Sequence, residues 1–395
     1  MWKLMKLGEV IEKTETINPE IKFPNESFEY IDVSSVNNKR LIIEETQTLL
    51  GKDAPSRARR KVQANDIIFA TVRPILKRVA VVPKELDGQI CSTGYIVLRG
   101  KKDVLLPRYL FYWMTSQFVM RCVESMQTGA SYPAVTDKQV KDIDIRIPSI
   151  VEQQRIVTML DAVFAEIDET IKIEREKVKQ AESLLENLIR EKSLSAMKQY
   201  GSKQLAELCE LQNGFAFKST KFRDDGIPVL RISNIQEGSI TTDKLVYASQ
   251  DDYSENLDKY IVKKEVLLIA MSGATTGKVG INKSEKYFYL NQRVGMLTPK
   301  ETLDRDFLYF FLTTKVEELL SISAGAAQPN LSTKQIKEIR LPNASLAQQR
   351  NFSSDLIKLN TEIDSLLSIC KIKLRNLASL KSAILTQELN PSEAA

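Results

Sequence analysis

Histidine is absent from the 395 residues of the chain, and this absence removes several classes of enzyme at once. Neither a Ser-His-Asp triad nor a Cys-His pair can form without an imidazole. Zinc sites of the HExxH and Cys2His2 types are excluded for the same reason. Cysteine is scarce as well, and no CxxC pair occurs. We interpret the four scattered cysteines as reduced, buried residues of a cytoplasmic protein: Cys91, Cys122, Cys209 and Cys370.

Long apolar segments are also missing. No run of about 18 apolar residues occurs, which excludes a membrane span. The N-terminal residues lead into Glu9 and Glu12, where a secretory signal would have an apolar segment. With 43% hydrophobic and 27% charged residues, the composition is typical of a globular protein. We therefore expect a soluble chain that makes no contact with membranes.

Motifs for phosphate, metal and methyl-transfer chemistry are incomplete. Residues 273–279 approach the phosphate-binding loop GxxxxGK[ST], but one residue is missing between the glycines and Val279 replaces the hydroxyl residue. We interpret this segment as a glycine-rich turn with a basic tip. The Glu20-Ile21-Lys22 triplet lacks the preceding aspartate of a restriction-nuclease core, and neither GxGxxG nor an Asn-Pro-Pro-Tyr motif occurs. The sequence predicts a non-catalytic chain that holds no metal or cofactor.

The chain is a tandem repeat, which must be recognised before any fold is assigned. Residues 128–148 read TGASYPAVTDKQVKDIDIRIP, and residues 324–342 read AGAAQPNLSTKQIKEIRLP. The matched pairs are Gly129/Gly325, Pro133/Pro329, Lys138/Lys334, Gln139/Gln335 and Pro148/Pro342. A Gln-Gln-Arg triplet follows each segment, and aligning the triplets places Ala347 opposite Glu152. We predict one globular unit plus one helix, present twice.

Each globular unit has a mixed α+β pattern. Short β-branched runs bounded by Gly, Pro, Asn and Asp predict strands: Ile67–Phe69, Val79–Val82, Tyr95–Leu98, Val229–Ile232, Val266–Ala270 and Val294–Leu297. One helix is predicted in each unit, at Arg108–Ser125 and at Arg305–Ser321. The fold class is therefore two tandem α/β domains, over residues 1–150 and 201–345.

Two long helices are predicted after these domains, within residues 151–200 and 346–395. Apolar residues recur every three or four positions from Glu152 to about Ser195 and from Leu346 to about Leu389, with no proline or glycine. Helices of about 40 residues would be roughly 60 Å long. We expect an antiparallel coiled coil with internal pseudo-two-fold symmetry. Two separate amphipathic helices, each packed on its own domain, remain an alternative. Apolar residues beside the seam predict a further protein interface: Phe164, Ile173, Leu184, Ile357, Leu367 and Ile372.

Positive charge is concentrated in the first domain, although the net charge is only +5. Residues 52–78 contain eight Lys or Arg residues against Asp53 and Asp66. Arginine forks suit phosphates and guanine edges, so we predict DNA-binding residues here: Arg57, Arg59, Arg60, Lys61, Arg73, Lys77 and Arg78. The second domain has polar loops instead, with candidates Ser272, Thr275, Thr276, Lys278, Asn291 and Arg293. A solvated basic loop in the first domain and ordinary turns in the second remain alternatives.

The ordered set of repeated features resembles the DNA-specificity (S) subunit of type I restriction–modification enzymes. The resemblance is carried by Ser92–Arg99, Gly129-Ala130, Pro133, Lys138–Val140, Ile147-Pro148 and Glu152–Val157, and in the second copy by Gly325-Ala326, Pro329, Leu341-Pro342 and Gln348–Arg350. It implies two target recognition domains that each read half of a split, asymmetric sequence in double-stranded DNA. The long helices would be the spacer between them.

The resemblance also implies partners. Two methyltransferase subunits that use S-adenosylmethionine, and up to two motor–nuclease subunits that use ATP and Mg²⁺, would supply the chemistry. Two other functions stay open. A transcription regulator with two DNA-binding units would need a helix-turn-helix or ligand domain, which is not evident. A coiled-coil tether for other proteins would leave the cluster from Arg57 to Arg78 without a role.

Overall fold

The structure is a computed structural model that describes residues 2–129, 132–315, 320 and 330–389. The chain divides into two compact units. The first consists of Met1–Glu174 together with Lys371–Ala395, and the second of Arg175–Cys370. Each unit therefore combines one globular part with about half of each long helix.

The globular part of the first unit is built from short strands: β1 (Lys3–Lys6), β2 (Ser27–Ile31), β3 (Val36–Asn37), β4 (Ile42–Ile43), β5 (Gln47–Leu50), β6 (Ala58–Lys61), β7 (Ile67–Ala70), β8 (Val79–Val81), β9 (Ile90–Ser92), β10 (Tyr95–Leu98) and β11 (Asp144–Ile147). They form sheets in the orders β10-β7-β8, β5-β2-β9-β6, β1-β11 and β3-β4. The β2–β9 pair is parallel. All four residues of β7 are buried, because the strand is covered on both faces.

The second unit repeats this arrangement with β12 (Ser202–Gln204), β13 (Cys209–Asn213), β14 (Ile227–Leu230), β15 (Ile235–Gln236), β16 (Ser239–Ile240), β17 (Val246–Ala248), β18 (Ile261–Val262), β19 (Leu267–Ala270), β20 (Val279–Ile281), β21 (Phe288–Leu290), β22 (Val294–Pro299) and β23 (Arg340–Pro342). The sheet orders are β13-β22-β19-β20, β17-β14-β21-β18, β12-β23 and β15-β16. The parallel β14–β21 pair corresponds to β2–β9. The mixed α+β composition and the duplication are confirmed.

The helices are α1 (Leu7–Val10), α2 (Pro19–Lys22), α3 (Pro107–Thr115), α4 (Gln117–Met126), α5 (Asp137–Lys141), α6 (Ile150–Tyr200), α7 (Leu205–Leu208), α8 (Arg305–Thr313), α9 (Thr333–Lys337) and α10 (Leu346–Leu389). The helix predicted over Arg108–Thr115 is confirmed as α3, whereas its predicted continuation to Ser125 is wrong, because a separate helix, α4, begins at Gln117. Ser116 has an extended backbone and its hydroxyl accepts a hydrogen bond from the Val119 amide, which starts a new helix. Of the helix predicted over Arg305–Ser321, residues 316–319 and 321 lie outside the described residues.

Large buried side chains hold each globular part together. In the first unit, Trp113 of α3 and Phe69 of β7 belong to one core that also receives Leu160 of α6 and Leu389 of α10. In the second unit, the core around Phe307 of α8 includes Leu267, Leu297 and Leu341. The long helices are thus anchored to the globular parts as well as to each other.

The two long helices run antiparallel in both units. In the first unit, Arg155 pairs with Glu388 at 3.2 Å and Glu174 pairs with Lys373 at 3.5 Å. In the second unit, Lys192 pairs with Asp355 at 3.1 Å. Residue numbers rise along α6 as they fall along α10, which confirms the predicted antiparallel pairing. The alternative of two unrelated helices is wrong. Helix α6 has 51 residues and extends beyond the predicted segment at both ends.

Apolar side chains remain exposed along these helices. Ile173, Leu184, Ile357 and Ile372 are 46%, 53%, 43% and 53% exposed, as predicted for residues beside the seam. Phe164 is different, because its ring packs edge-on against another aromatic ring in the first unit. Leu367 is half-buried.

Within the described residues, no helix is both long enough and apolar enough to cross a membrane.

The repeated polar motifs have structural roles at helix N-termini. Thr136 with Gln139, and Ser332 with Gln335, form the capping boxes of α5 and α9. At the long helices, the Ser149 hydroxyl accepts a hydrogen bond from the amide of Glu152 at 3.3 Å.

The second long helix begins in the same way, because the Ser345 hydroxyl accepts a hydrogen bond from the amide of Gln348 at 3.4 Å. Gln348, and not Ala347, therefore corresponds to Glu152, and the alignment of the Gln-Gln-Arg triplets was shifted by one residue. Several matched positions lie outside the described residues: Ala130, Gly325, Ala326 and Pro329.

Candidate nucleic-acid interface

In the first unit, β7 and β8 are joined by the segment Thr71–Arg78, which we name the basic loop. Its centre is a 3-10 turn, Pro74–Leu76, between Arg73 and Lys77. Both flanking residues have left-handed backbones, with φ of 49° and 53°. The Ala70 amide donates to the Arg78 carbonyl at 2.9 Å and closes the base of the loop. The side chains of Arg73 and Lys77 are exposed at its tip.

In the second unit, β19 and β20 are joined by the segment Met271–Lys278, which we name the glycine loop. It also contains a 3-10 turn, Gly273–Thr275, and the Ala270 amide donates to the Lys278 carbonyl at 3.0 Å. Gly273 and Gly277 have φ of 77° and 85°. The two loops that were singled out separately from the sequence are therefore the same element of the duplicated fold.

A second turn lies against each of these loops. The Thr71 amide donates to the Gly94 carbonyl in the β9–β10 turn at 2.8 Å, and the Met271 amide donates to the Arg293 carbonyl in the β21–β22 turn at 2.9 Å. In the first unit, the Thr93 amide also donates to the Arg57 carbonyl at 2.8 Å. The structure thus brings the turn of Arg57 and the basic loop to the two sides of one β-turn.

Four of the predicted cations of the first unit are engaged within the protein. Arg60 makes two hydrogen bonds to Asp137, of 2.6 and 3.1 Å, and Lys61 pairs with Glu15 at 3.3 Å. The Arg78 guanidinium donates to a backbone carbonyl at 2.6 Å. Arg59 donates to the carbonyl groups of residues 55 and 58. These contacts show that the four cations stabilise the domain from within.

The remaining three cations, Arg57, Arg73 and Lys77, are exposed. No ion pair is found for them within the parts of the chain that the structure describes. The Arg73 guanidinium lies 4.9 Å from the centre of the Tyr132 ring. Tyr132 was not predicted as a site residue, although its place in the repeated TGASYP segment could have drawn attention to it.

Asp66 does not weaken this positive surface. Its side chain is only 1% exposed and accepts two hydrogen bonds from Arg99, of 2.8 and 2.7 Å. Arg99 in turn has a raised pKa because of this contact. The one acid between the two basic clusters therefore points into the domain, and its charge is compensated there.

The hydroxyl groups of the glycine loop are mostly used to shape it. Thr275 donates to the Ile232 carbonyl at 2.9 Å, and Thr276 donates to the Gly273 carbonyl at 2.6 Å. Ser272 is 6% exposed, and its hydroxyl has no hydrogen-bond partner among the described residues. Within the described residues, the Thr275 and Thr276 hydroxyl groups therefore shape the loop.

In the neighbouring turn of the second unit, Arg293 is exposed and Asn291 is half-buried, with its side-chain oxygen 3.5 Å from the Arg293 amide nitrogen. Gln292, which was not predicted, is exposed between them. Lys278 is half-buried at the end of the glycine loop. The second unit thus presents amide groups and single charges where the first presents a cluster of cations.

No group of three or more acidic, cysteine or histidine side chains suited to a metal ion occurs within residues 2–129, 132–315, 320 and 330–389.

Comparison with known proteins identifies the family. The model of the type I restriction modification DNA specificity domain matches residues 1–180 and again residues 197–367. The chain belongs to this family. Its two matches agree with the duplication seen in the fold.

Related members of the family span nearly the whole chain. The type I restriction enzyme MjaVIII specificity subunit of Methanocaldococcus jannaschii is 23% identical, over 97% of this chain and 91% of the relative. The type I restriction enzyme HindI specificity subunit of Haemophilus influenzae is 22% identical, over 86% and 89%.

Solved structures of the family are similar as well. One from a study of complex assembly and conformational transition of the type I R-M system has 27% identity and a TM-score of 0.85, over 98% of this chain and 97% of its own. The HsdS subunit from Thermoanaerobacter tengcongensis has 27% identity and a TM-score of 0.57, over 98% and 96%.

Proposed function

We propose that this protein is the subunit that directs a type I restriction–modification enzyme to a split, asymmetric DNA sequence, with each unit reading one half. The observation that carries the proposal is the equivalence of the basic loop and the glycine loop. One scaffold occurs twice and presents different side chains at the same place. Two domains that recognise different base sequences need a shared scaffold with different side chains, because side chains and not the scaffold distinguish the bases.

The first unit contributes phosphate binding through its exposed cations. Arg57 lies beside the β9–β10 turn, Arg73 and Lys77 lie at the tip of the basic loop that contacts the same turn through Thr71, and each cation can neutralise a phosphate. Phosphate contacts fix the register of a protein on the duplex, whereas contacts to base edges select the sequence. In the second unit, the Gln292 and Asn291 amides and the Arg293 guanidinium are of the types that pair with adenine and guanine edges.

The chain has no catalytic role of its own in this proposal. Two methyltransferase subunits bind S-adenosylmethionine, and up to two motor–nuclease subunits use ATP and Mg²⁺. The methyltransferase subunits dock on the exposed apolar residues of α6 and α10. In the first unit these are Val151, Ile173, Ile372 and Leu380, and in the second unit they are Leu184, Leu194, Ile357, Leu366 and Ile369. Exposed apolar residues in such number are typical of protein interfaces.

The proposal is tested with the chain purified together with its methyltransferase subunits. The affinity for a random-sequence DNA duplex is measured at several salt concentrations for the wild type and for the triple variant Arg57→Ala, Arg73→Ala, Lys77→Ala. Each lost phosphate contact reduces the log–log salt slope by about 0.9, so the slope should fall by about 2.7.

The matched control replaces three other exposed lysines of the first unit by alanine, Lys3, Lys84 and Lys102. Lys84 and Lys102 follow β8 and β10 at the ends away from the basic loop. This control should keep the wild-type slope. Equal slopes for the two triple variants would contradict the assignment of the DNA-binding face, and a wild-type complex that binds no DNA would contradict the proposed function.

A further inference from the structure

The basic loop has an apolar tip in addition to its charges. Ile75 and Leu76 are 46% and 39% exposed, and they occupy the 3-10 turn between Arg73 and Lys77. A second loop, of which the structure describes residues 128, 129 and 132–134, adds Tyr132, which is 70% exposed. We name Ile75, Leu76 and Tyr132 the apolar tip. Contiguous exposed apolar side chains that are rimmed by charged residues are a feature of binding sites.

Hydrogen bonds join the two loops into one structural feature. The Arg73 amide donates to the Pro133 carbonyl at 2.7 Å, and Val72 forms an antiparallel bridge with Ala134. The Arg73 guanidinium lies 4.9 Å from the centre of the Tyr132 ring. The aromatic ring therefore lies beside Arg73, which directly precedes the 3-10 turn.

The backbone of the basic loop is strained at both cations. Arg73 and Lys77 have φ of 49° and 53°, a conformation that is costly for residues with a Cβ atom. In the glycine loop, the equivalent positions are Gly273 and Gly277, which adopt positive φ without this cost. The first unit thus keeps long cationic side chains at two positions where its own duplicate uses glycine. Strain that persists in this way points to a functional contact.

Apolar side chains flanked by cations fit one kind of ligand, the DNA duplex. Many proteins that bind the minor groove of DNA insert apolar side chains between base steps and partly unstack them. Arg and Lys side chains hold the adjacent phosphates. We propose that the apolar tip enters a groove and opens one base step in the half-site of the first unit, while Arg73 and Lys77 bind the flanking phosphates. This inference rests on the proposed function.

The glycine loop, which lies within the described part of the second unit, offers no comparable insertion. Its 3-10 turn consists of Gly273, Ala274 and Thr275, none of which is a large apolar residue. Gln328 stands at the sequence position that corresponds to Tyr132, outside the described residues. We therefore expect the deformation of the DNA at the half-site of the first unit.

Photocrosslinking tests the insertion directly. The chain, purified with its methyltransferase subunits, is mixed with random-sequence duplex DNA in which 5-iododeoxyuridine replaces thymidine, and the crosslinked peptides are mapped by mass spectrometry. Crosslinks are expected at Tyr132 and in residues 73–77, and not in residues 273–278. Crosslinks in the glycine loop alone would overturn the inference.

Binding measurements separate the tip from its cations. The double variant Ile75→Ser, Leu76→Ser should bind the same duplex roughly tenfold more weakly with an unchanged salt slope, because it loses apolar contact and no charge. The double variant Arg73→Gly, Lys77→Gly should lower the salt slope by about 1.8. Leu4→Ser, at a leucine that is 64% exposed in the β1–β11 sheet, is the control and should bind like the wild type.

Three further results would overturn the inference. If the serine variant kept wild-type affinity and crosslinking, the tip would not enter DNA, although the proposed function would stand. If the serine variant lost its methyltransferase subunits, the tip would be a protein contact. If the wild-type complex bound no DNA, the proposed function would fail as well. Thermal unfolding of each variant shows whether it is folded.

Discussion

Gln153 and Gln349 make the same three hydrogen bonds in the two units. The Gln153 side chain accepts from the Leu106 amide at 2.8 Å and donates to the carbonyl groups of residues 104 and 148 at 2.8 and 3.1 Å. The Gln349 side chain accepts from the Asp304 amide at 2.7 Å and donates to the carbonyl groups of residues 302 and 344 at 3.1 and 2.8 Å. Each glutamine fastens the first turn of a long helix to the loop before α3 or α8.

Replacing Gln153 by leucine should destabilise the first unit. The side chain is fully buried, so the loss leaves buried backbone groups without partners, and we expect a loss of about 2–4 kcal/mol in the free energy of unfolding. Chemical denaturation measures it. The control is Gln154→Leu, next in sequence but exposed, which should change stability by less than about 0.5 kcal/mol. Equal effects of the two changes would contradict the anchoring role.

Sequence reasoning found these glutamines but not their role. The Gln-Gln-Arg triplet marks both long helices, yet nothing in the triplet tells which glutamine is buried. Gln153 is the first glutamine of its triplet, whereas its structural equivalent, Gln349, is the second of its own. The position of a residue around the helix axis, and not its place in the motif, decides which side chain faces the globular part. The antiparallel pairing was predictable, since an apolar seam of that length requires a partner.

The candidate site was harder to predict in detail. Charge density drew attention to the first domain, where Arg57, Arg73 and Lys77 are exposed. It did not reveal that Arg60 and Lys61 are paired with Asp137 and Glu15, which are distant in sequence. Such long-range ion pairs depend on tertiary packing and leave no local pattern. The equivalence of the basic and glycine loops was also hidden, because a strained backbone at Arg73 cannot be read from residue identity.

Arg99, the last residue of the stretch Ser92–Arg99, is predicted to stabilise the fold through its ion pair with Asp66. Arg99→Met should cost about 3–5 kcal/mol in the free energy of unfolding, because it leaves the buried Asp66 carboxylate without its cation. Arg40→Met, which breaks a surface ion pair with Glu44, is the control and should cost less than about 1 kcal/mol. Urea denaturation compares the two, and a small loss for Arg99→Met would contradict a buried ion pair.

Thiol reactivity should distinguish the cysteines. Burial raises the pKa of the Cys91 and Cys209 thiols to about 12. In the unfolded chain these thiols ionise near pH 8.5. Iodoacetamide at pH 8 should therefore label half-buried Cys122 first, and Cys91 and Cys209 only after unfolding. Rapid native labelling of Cys91, mapped by mass spectrometry, would contradict the fold around β9.

The same two pKa values predict how stability depends on pH. The thiol pKa is higher in the folded than in the unfolded protein, so the protonated thiols contribute to the free energy of unfolding. This contribution is fully present below the unfolded pKa near 8.5. It declines as the pH rises from there toward 12. The double variant Cys91→Ala, Cys209→Ala should show a weaker decline between pH 8 and pH 10 than the wild type, measured by urea denaturation.

The register of the long helices is tested by a charge exchange between Asp168 and Lys381, which pair in the first unit. Lys381→Glu should lower stability by about 0.5–1 kcal/mol, since the pair is partly solvated. Adding Asp168→Lys should restore most of the loss. If the double variant were as unstable as the sum of the single changes, the two residues would not face each other.

The central claim is that the two units read independently. Residues 201–340 are exchanged for the second domain of another family member, the hybrid is expressed with the methyltransferase subunits, and the methylated sites of the host genome are sequenced. The reciprocal exchange of residues 1–148 is the matched control. We predict that each exchange alters one half of the methylated sequence, a different half in the two hybrids, and leaves the other half intact. A change in both halves after a single exchange would contradict the account.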